Sequence, residues 1–233
     1  MARYLEYSVK IPYGGMVDAA VVRGRLAAQH EKTPEYAFDP AIFHYNKDKH
    51  PSKGVSPFRF AGGKNFRIYA VGDDAVRLLN AEAHKITRLL ELAYGTDLLE
   101  ERRVGMFDAG IDRSLKTFYV RSLVLQQDPA HHKKLMAMEA GAREAWIDSL
   151  IRRGLAKQLR KLEIPFEIDD PMLVMGDIKV NGGYSSVEVK PGIFFMAANK
   201  VTFRANLRLE GPFHVGHLIS RGHGAILKNR NRD

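Results

Sequence analysis

The run Lys200-Val201-Thr202-Phe203-Arg204-Ala205-Asn206-Leu207-Arg208-Leu209-Glu210 alternates without a break. Val201, Phe203, Ala205, Leu207 and Leu209 fall on one side of an extended chain; Lys200, Thr202, Arg204, Asn206, Arg208 and Glu210 fall on the other. A period of two with one apolar side marks a half-buried strand, and a sheet with one wet face is typically antiparallel. Upstream, Met172–Val180 and Ser185–Val189 read as further strands. Downstream the chain turns glycine-rich: Gly211-Pro212-Phe213-His214-Val215-Gly216-His217-Leu218-Ile219-Ser220-Arg221-Gly222-His223-Gly224.

The N-terminal half carries the same period with helices between. Leu5, Tyr7, Val9 and Ile11 share one face of a first strand. A helix is expected from about Asp18 to His30, with Val17, Val21 and Ala28 inward. Ala41–Tyr45 reads as a short strand. Val55–Phe60 and Phe66–Val71 are strands split by the turn Gly62-Gly63. Asp73 or Asp74 can cap the next helix, whose Val76, Leu79, Ala83, Ile86, Leu89, Leu90 and Ala93 keep a 3.6-residue period. Arg103–Phe107 and Lys116–Leu125 complete the strands. These elements resemble one ferredoxin-like unit, a split βαβ layout with helices on one side of an antiparallel sheet. From Asp128 to about Leu162 a long helical stretch intervenes, with Leu135, Met138, Ala142, Trp146, Leu150, Leu159 and Leu162 as a broken apolar stripe. Gly141 and Gly154 weaken it, so two shorter helices are an alternative. The expected architecture is α+β: two ferredoxin-like units at 1–127 and 128–233, the second with a basic helical insertion at about 130–162 and the glycine-rich loop at 211–224.

Composition narrows the function. The 233 residues are 45% hydrophobic and 27% charged, ordinary for a globular protein, but net charge is +9 and the isoelectric point about 9.7. Such a balance suits a polyanionic partner. The helical stretch concentrates it: Lys133, Lys134, Arg143, Arg152, Arg153, Lys157, Arg160 and Lys161 stand against Glu139, Glu144 and Asp148. With no cysteine, disulfides and thiolate metal sites are excluded. No apolar run is long enough to span a membrane and the first residues lack a signal-peptide core, so a cytoplasmic protein with no membrane partner is expected. In the loop, glycines permit positive φ and close backbone approach, successive N–H groups can cradle an anion, and Arg221 can fork onto phosphate. A plain turn between two strands is the alternative.

Val189-Lys190-Pro191-Gly192-Ile193, the Lys200–Glu210 strand and the loop together resemble the end of the CRISPR repeat-processing endonucleases, which belong to the RAMP superfamily of RNA-binding proteins. Their loop follows a G-x-x-x-S-x-G-x-G pattern; Gly216, Ser220, Gly222 and Gly224 match it. Arg23-Gly24 resembles the "RG" start of the first helix in a short-chain subgroup. Ile42-Phe43-His44-Tyr45-Asn46 is similar to that subgroup's F-H-N-H segment, with Asn46 in place of the second histidine. Pro57-Phe58-Arg59-Phe60 stands where the subgroup has a Y-P-x-I-Q-Y strand, without its Gln-Tyr. Ala70-Val71-Gly72-Asp73-Asp74-Ala75 resembles its "hydrophobic-Gly-x-Gly" helix entry. The inserted helices resemble those of type IV processing proteins.

The resemblance implies an endoribonuclease that binds a CRISPR repeat stem-loop, cuts the precursor into guide RNAs and stays with its product, needing no metal and no cofactor. The 2′-hydroxyl would attack the adjacent phosphate and leave a 2′,3′-cyclic phosphate. It implies His44 and Arg23 as catalytic residues: histidine because its pKa lies near working pH, arginine because it stays charged and forks onto phosphate. Expected RNA contacts are Arg25, Lys47, Arg152, Arg153, Lys157, Arg160, Arg204, Arg208 and Arg221, with Gly216, Ser220, Gly222 and Gly224 through the backbone. His44 could instead be a structural histidine, and the basic helix a solvated face. A metal at His214, His217 and His223 is disfavoured, because no carboxylate or thiol accompanies them. Other effector subunits are expected partners. A non-cutting RAMP subunit and a general basic RNA chaperone are the rival readings.

Overall fold

A computed structural model describes residues 2–12, 15–44, 56–126, 129–190 and 192–228. The chain divides into two compact units: residues 2–106 with 220–222, and residues 107–219 with the rest of the C-terminal segment.

The first unit contains β1 (Arg3–Val9), α1 (Ala19–Lys32), β2 (Phe58–Ala61), β3 (Phe66–Val71), α2 (Asp73–Tyr94) and β4 (Glu100–Met106). Its sheet order is β2-β3-β1-β4, antiparallel throughout. This is the βαββαβ order, with each helix crossing over to bring the next strand in. Leu5, Tyr7 and Val9 of β1, Phe58 and Phe60 of β2 and Phe66, Ile68 and Ala70 of β3 meet Leu79, Ala83, Ile86 and Leu90 of α2 in one core. Helix α1 presents Ala19, Val22 and Leu26 to it. Val17 is buried as expected, but Val21 is 52% exposed: α1 has no clean apolar stripe, so its phase is set by packing.

Ala41–Tyr45 is not a strand. Pro40–Phe43 is a 3₁₀ turn, because Pro40 presets the helical φ and the Asp39 carboxylate accepts the Ala41 N–H at 2.8 Å. His44 closes the turn in the left-handed conformation, φ 66°.

The second unit contains β5 (Asp108–Gln126), α3 (Pro129–Ala137), α4 (Ala140–Lys161), β6 (Met175–Val180), β7 (Tyr184–Lys190), β8 (Ile193–Glu210) and β9 (Ile226–Lys228). The long strands β5 and β8 pair antiparallel in the middle, with β6 and β7 on β8 and β9 on β5. The two sheets give the mixed α+β, ferredoxin-like architecture that the patterning implied. Between α3 and α4 the chain breaks at Met138 and Glu139, not at either glycine. The buried stripe of α4 runs Ile147, Ile151, Leu155, Leu159, and Trp146 is only half-buried beside it. No helix among the described residues is long and apolar enough to cross a membrane.

Candidate functional site

In the first unit, Arg23 and His44 are tied through one residue. The Arg23 guanidinium donates from Nη2 to the Phe43 carbonyl at 3.0 Å. It also lies over the Phe43 and Phe60 rings, 5.2 and 5.5 Å from their centroids. Arginine therefore braces the turn that ends in His44, and the His44 N–H closes that turn on the Ala41 carbonyl at 2.8 Å. A half-buried guanidinium and an imidazole on a fixed turn can supply charge stabilisation and proton transfer to a bound phosphodiester. Arg25 is exposed on α1, with its guanidinium 5.1 Å from the Tyr94 ring centroid. Ser220, Arg221 and Gly222 belong to this unit. Gly222 has φ +95°, and an added Cβ would stand 2.6 Å from the Ala19 Cβ at the start of α1. Lys47 lies outside the described residues.

In the second unit, α4 and the glycine-rich loop lock together. The Gln158 side-chain amide donates to the His214 carbonyl and accepts the His214 N–H at 3.2 Å. Gly154 leaves room for Val215; a Cβ there would meet Val215 Cγ1 at 3.0 Å. Arg153, Lys157 and Arg160 are exposed at spacings of four and three, so they form one stripe of α4. Arg152 is turned elsewhere: Nε donates to Asp148 at 2.7 Å and Nη2 to the Met175 carbonyl at 2.8 Å, joining α4 to β6. Arg204 is exposed and lies 3.6 Å from Asp177. Arg208 pairs with Asp108, with Glu210 at 3.7 Å.

The loop's own backbone is partly spent. The N–H groups of Val215, His217 and Gly224 go to the carbonyls of Gly224, Val124 and Ser122. Gly216 (φ +80°) and Gly224 (φ +76°) have close packing reasons to be glycine: a Cβ on Gly216 would lie 2.7 Å from the Val124 oxygen, and one on Gly224 would strike the Val215 oxygen. The three histidines separate. His214 Nδ1 lies 3.0 Å from the Pro212 carbonyl and His223 Nδ1 3.0 Å from Ser122 Oγ. His217 is held below the usual imidazole pKa by burial and then by nearby Lys157, so it is neutral at neutral pH. Lys157 of the basic stripe thus lies near His217 of the loop.

A family model for the type IV CRISPR-associated endonuclease Csf5 matches residues 2–231. The chain belongs to that CRISPR-associated endonuclease family. Among solved structures, one described as "Csf5, CRISPR-Cas type IV Cas6 crRNA endonuclease" is similar with a TM-score of 0.73 at 16% identity, over 97% of this chain and 99% of that one. A Cas6b crystal structure is similar with a TM-score of 0.64 at 14% identity, over 98% and 100%. A Cas6b described as a CRISPR RNA processing endoribonuclease gives 0.61 at 11%, over 97% and 100%. No curated protein sequence matches significantly. At these identities the structures speak for the fold, and the family model for the membership.

Two residues escaped the sequence reading. Arg59, on β2 beside Phe58 and Phe60, is 2% exposed; burial pushes its guanidinium pKa down to about 10. A charge inside a Phe-Arg-Phe strand was the available signal. Gln158 gave none, because a buried glutamine on a basic helix looks like any solvated one.

Proposed function

We propose that this chain cuts precursor CRISPR RNA within its repeats, releasing guide RNAs, and does so without a metal ion. Membership of an endonuclease family supports the cutting. The observation that carries the reading is the exposed Arg153–Lys157–Arg160 stripe, fixed to the glycine-rich loop by Gln158. It presents a row of cations to a polyanion of helical shape, and the repeat stem-loop is the RNA it would grip. Arg221, Arg204 and the loop backbone at Gly216, Ser220, Gly222 and Gly224 add phosphate contacts.

The chemistry falls to the first unit. The 2′-hydroxyl upstream of the cut attacks the phosphorus, Arg23 offsets the charge gathering on the phosphorane oxygens, and His44 moves the proton. The products are a 2′,3′-cyclic phosphate and a 5′-hydroxyl. RNA carries its own nucleophile, so no metal-bound water is required. The cut guide stays on the protein and passes with it to the other effector subunits. The test is cleavage of a repeat stem-loop in EDTA. Cutting should persist, the upstream product should end in a cyclic phosphate, and a single 2′-deoxy sugar at the cut should leave the RNA bound and intact. Cleavage that EDTA abolishes and magnesium restores would overturn the metal-free mechanism.

A further inference from the structure

We propose that the face of the second sheet that carries Tyr119 binds single-stranded RNA, with one base stacked on Tyr119, so that the strand leaving the stem-loop is held as well as the stem-loop. The inference rests on the RNA-processing reading above. The pairing register lines up Lys179 of β6, Thr202 of β8, Tyr119 of β5 and Leu227 of β9 in a single row across four strands. One step along, Thr117 pairs with Arg204. The other side of these strands is core: Phe118, Val120, Val201 and Phe203 are buried. Side chains alternate along a strand, so Tyr119, Thr117, Thr202 and Arg204 all point away from that core.

Tyr119 is half-buried, and its flanking threonines are small. Among the described residues its side chain has no ring contact, ion pair or hydrogen bond. The core does not use this ring, and the ring has Thr202 beside it, exposed Arg204, 3.6 Å from Asp177, one step along the next strand, and exposed Lys179 two strands over. That is the makeup of a stacking platform: an aromatic face for any base and cations for the phosphates on either side. A protein segment would be a poorer occupant, since the row offers one apolar ring and one exposed leucine amid polar and cationic groups.

The experiment compares a repeat stem-loop with and without an oligouridine tail, by equilibrium binding. The tail should strengthen binding to the wild-type chain. Tyr119→Ala should lose about 5- to 150-fold of affinity for the tailed RNA, the range of one aromatic–base stack, and none for the bare stem-loop. Tyr119→Trp should keep the gain. If Tyr119→Ala does not fold, 4-thiouridine in the tail is crosslinked to the wild-type chain, and the adduct should map to β5 or β8 around Tyr119 and Thr202. An equal gain in Tyr119→Ala, or an adduct elsewhere, overturns the proposal. Failure of the wild-type chain to bind the bare stem-loop would instead sink the RNA-processing reading. Oligouridine alone would then still decide the sheet face.

Discussion

His44 holds φ 66°, a region that side chains other than glycine's enter at a cost of about 1 kcal/mol. This gives its role a clean test. His44→Gly removes the imidazole and relieves the backbone, so the thermal midpoint should hold or rise slightly while single-turnover cleavage slows by about 10²–10⁴. A wild-type cleavage rate would leave proton transfer to some other group. Arg23→Ala should behave differently. It removes the donor to the Phe43 carbonyl along with the charge, so the chain should lose about 1–3 kcal/mol of stability together with its activity. The glycines divide in the same way. Gly24 lies in α1 with nothing within 4 Å of a built Cβ, and Gly24→Ala should stabilise by about 0.5–1 kcal/mol. Gly224→Ala would drive a Cβ into the Val215 carbonyl at φ +76° and should destabilise by about 2–4 kcal/mol. Denaturant melts of the two variants should move in opposite directions; a common direction would mean that the loop packs otherwise.

Helix α4 is where the sequence reading needed the structure most. Four of its cations looked equivalent, yet Arg152 is committed to Asp148 and Met175 while Arg153, Lys157 and Arg160 stay exposed. Replacing the exposed three with alanine should weaken stem-loop binding and lower the slope of log K against log salt by about 0.7–0.9 for each phosphate that is no longer neutralised. Arg152→Ala should lower stability and leave that slope alone. An unchanged slope in the variant lacking the exposed three would take the stripe out of the interface. Lys157→Ala should also raise the His217 pKa, though not fully to its usual value, since burial is the larger cause; a histidine NMR titration reads it directly. The strands and α2 were legible because a clean period in apolar residues sets which side is buried. The buried Leu79, Ala83, Ile86, Leu89 and Leu90 of α2 are those its 3.6-residue period picks out. Helix α1 and the stripe of α4 were misphased because their apolar residues are sparse, and packing chose among several weak faces. Ala41–Tyr45 has the composition of a strand, but the Asp39-Pro40 start outranks that apolar run and makes it a turn. In the candidate site, Arg23 and His44 were visible as residue types in a motif, whereas the hydrogen bond through Phe43 that joins them comes from tertiary packing.

Across the whole chain, two sheets were legible from period and order, but the partners of each strand were not. Strand β5 spends its length on β8, far off in sequence, and no local pattern encodes such a pairing. The charge of the whole chain could be read directly and bears on turnover. A protein of net charge +9 holds RNA largely through phosphates. If the cut leaves the stem-loop whole, the stem's phosphates stay where they were, and the groups that bind substrate also bind product. Cleavage at low salt with RNA in excess should therefore give a burst equal to the concentration of enzyme and then nearly stop. Raising the salt weakens every phosphate interaction at once, so later turnovers should quicken with a steep salt dependence until binding of substrate fails too. The Arg153, Lys157 and Arg160 triple alanine variant should turn over at low salt, at the expense of a higher KM. Steady multiple turnover by the wild-type chain at low salt, with no burst, would show that the product leaves freely, and the chain would then be a releasing enzyme and not a carrier of its guide.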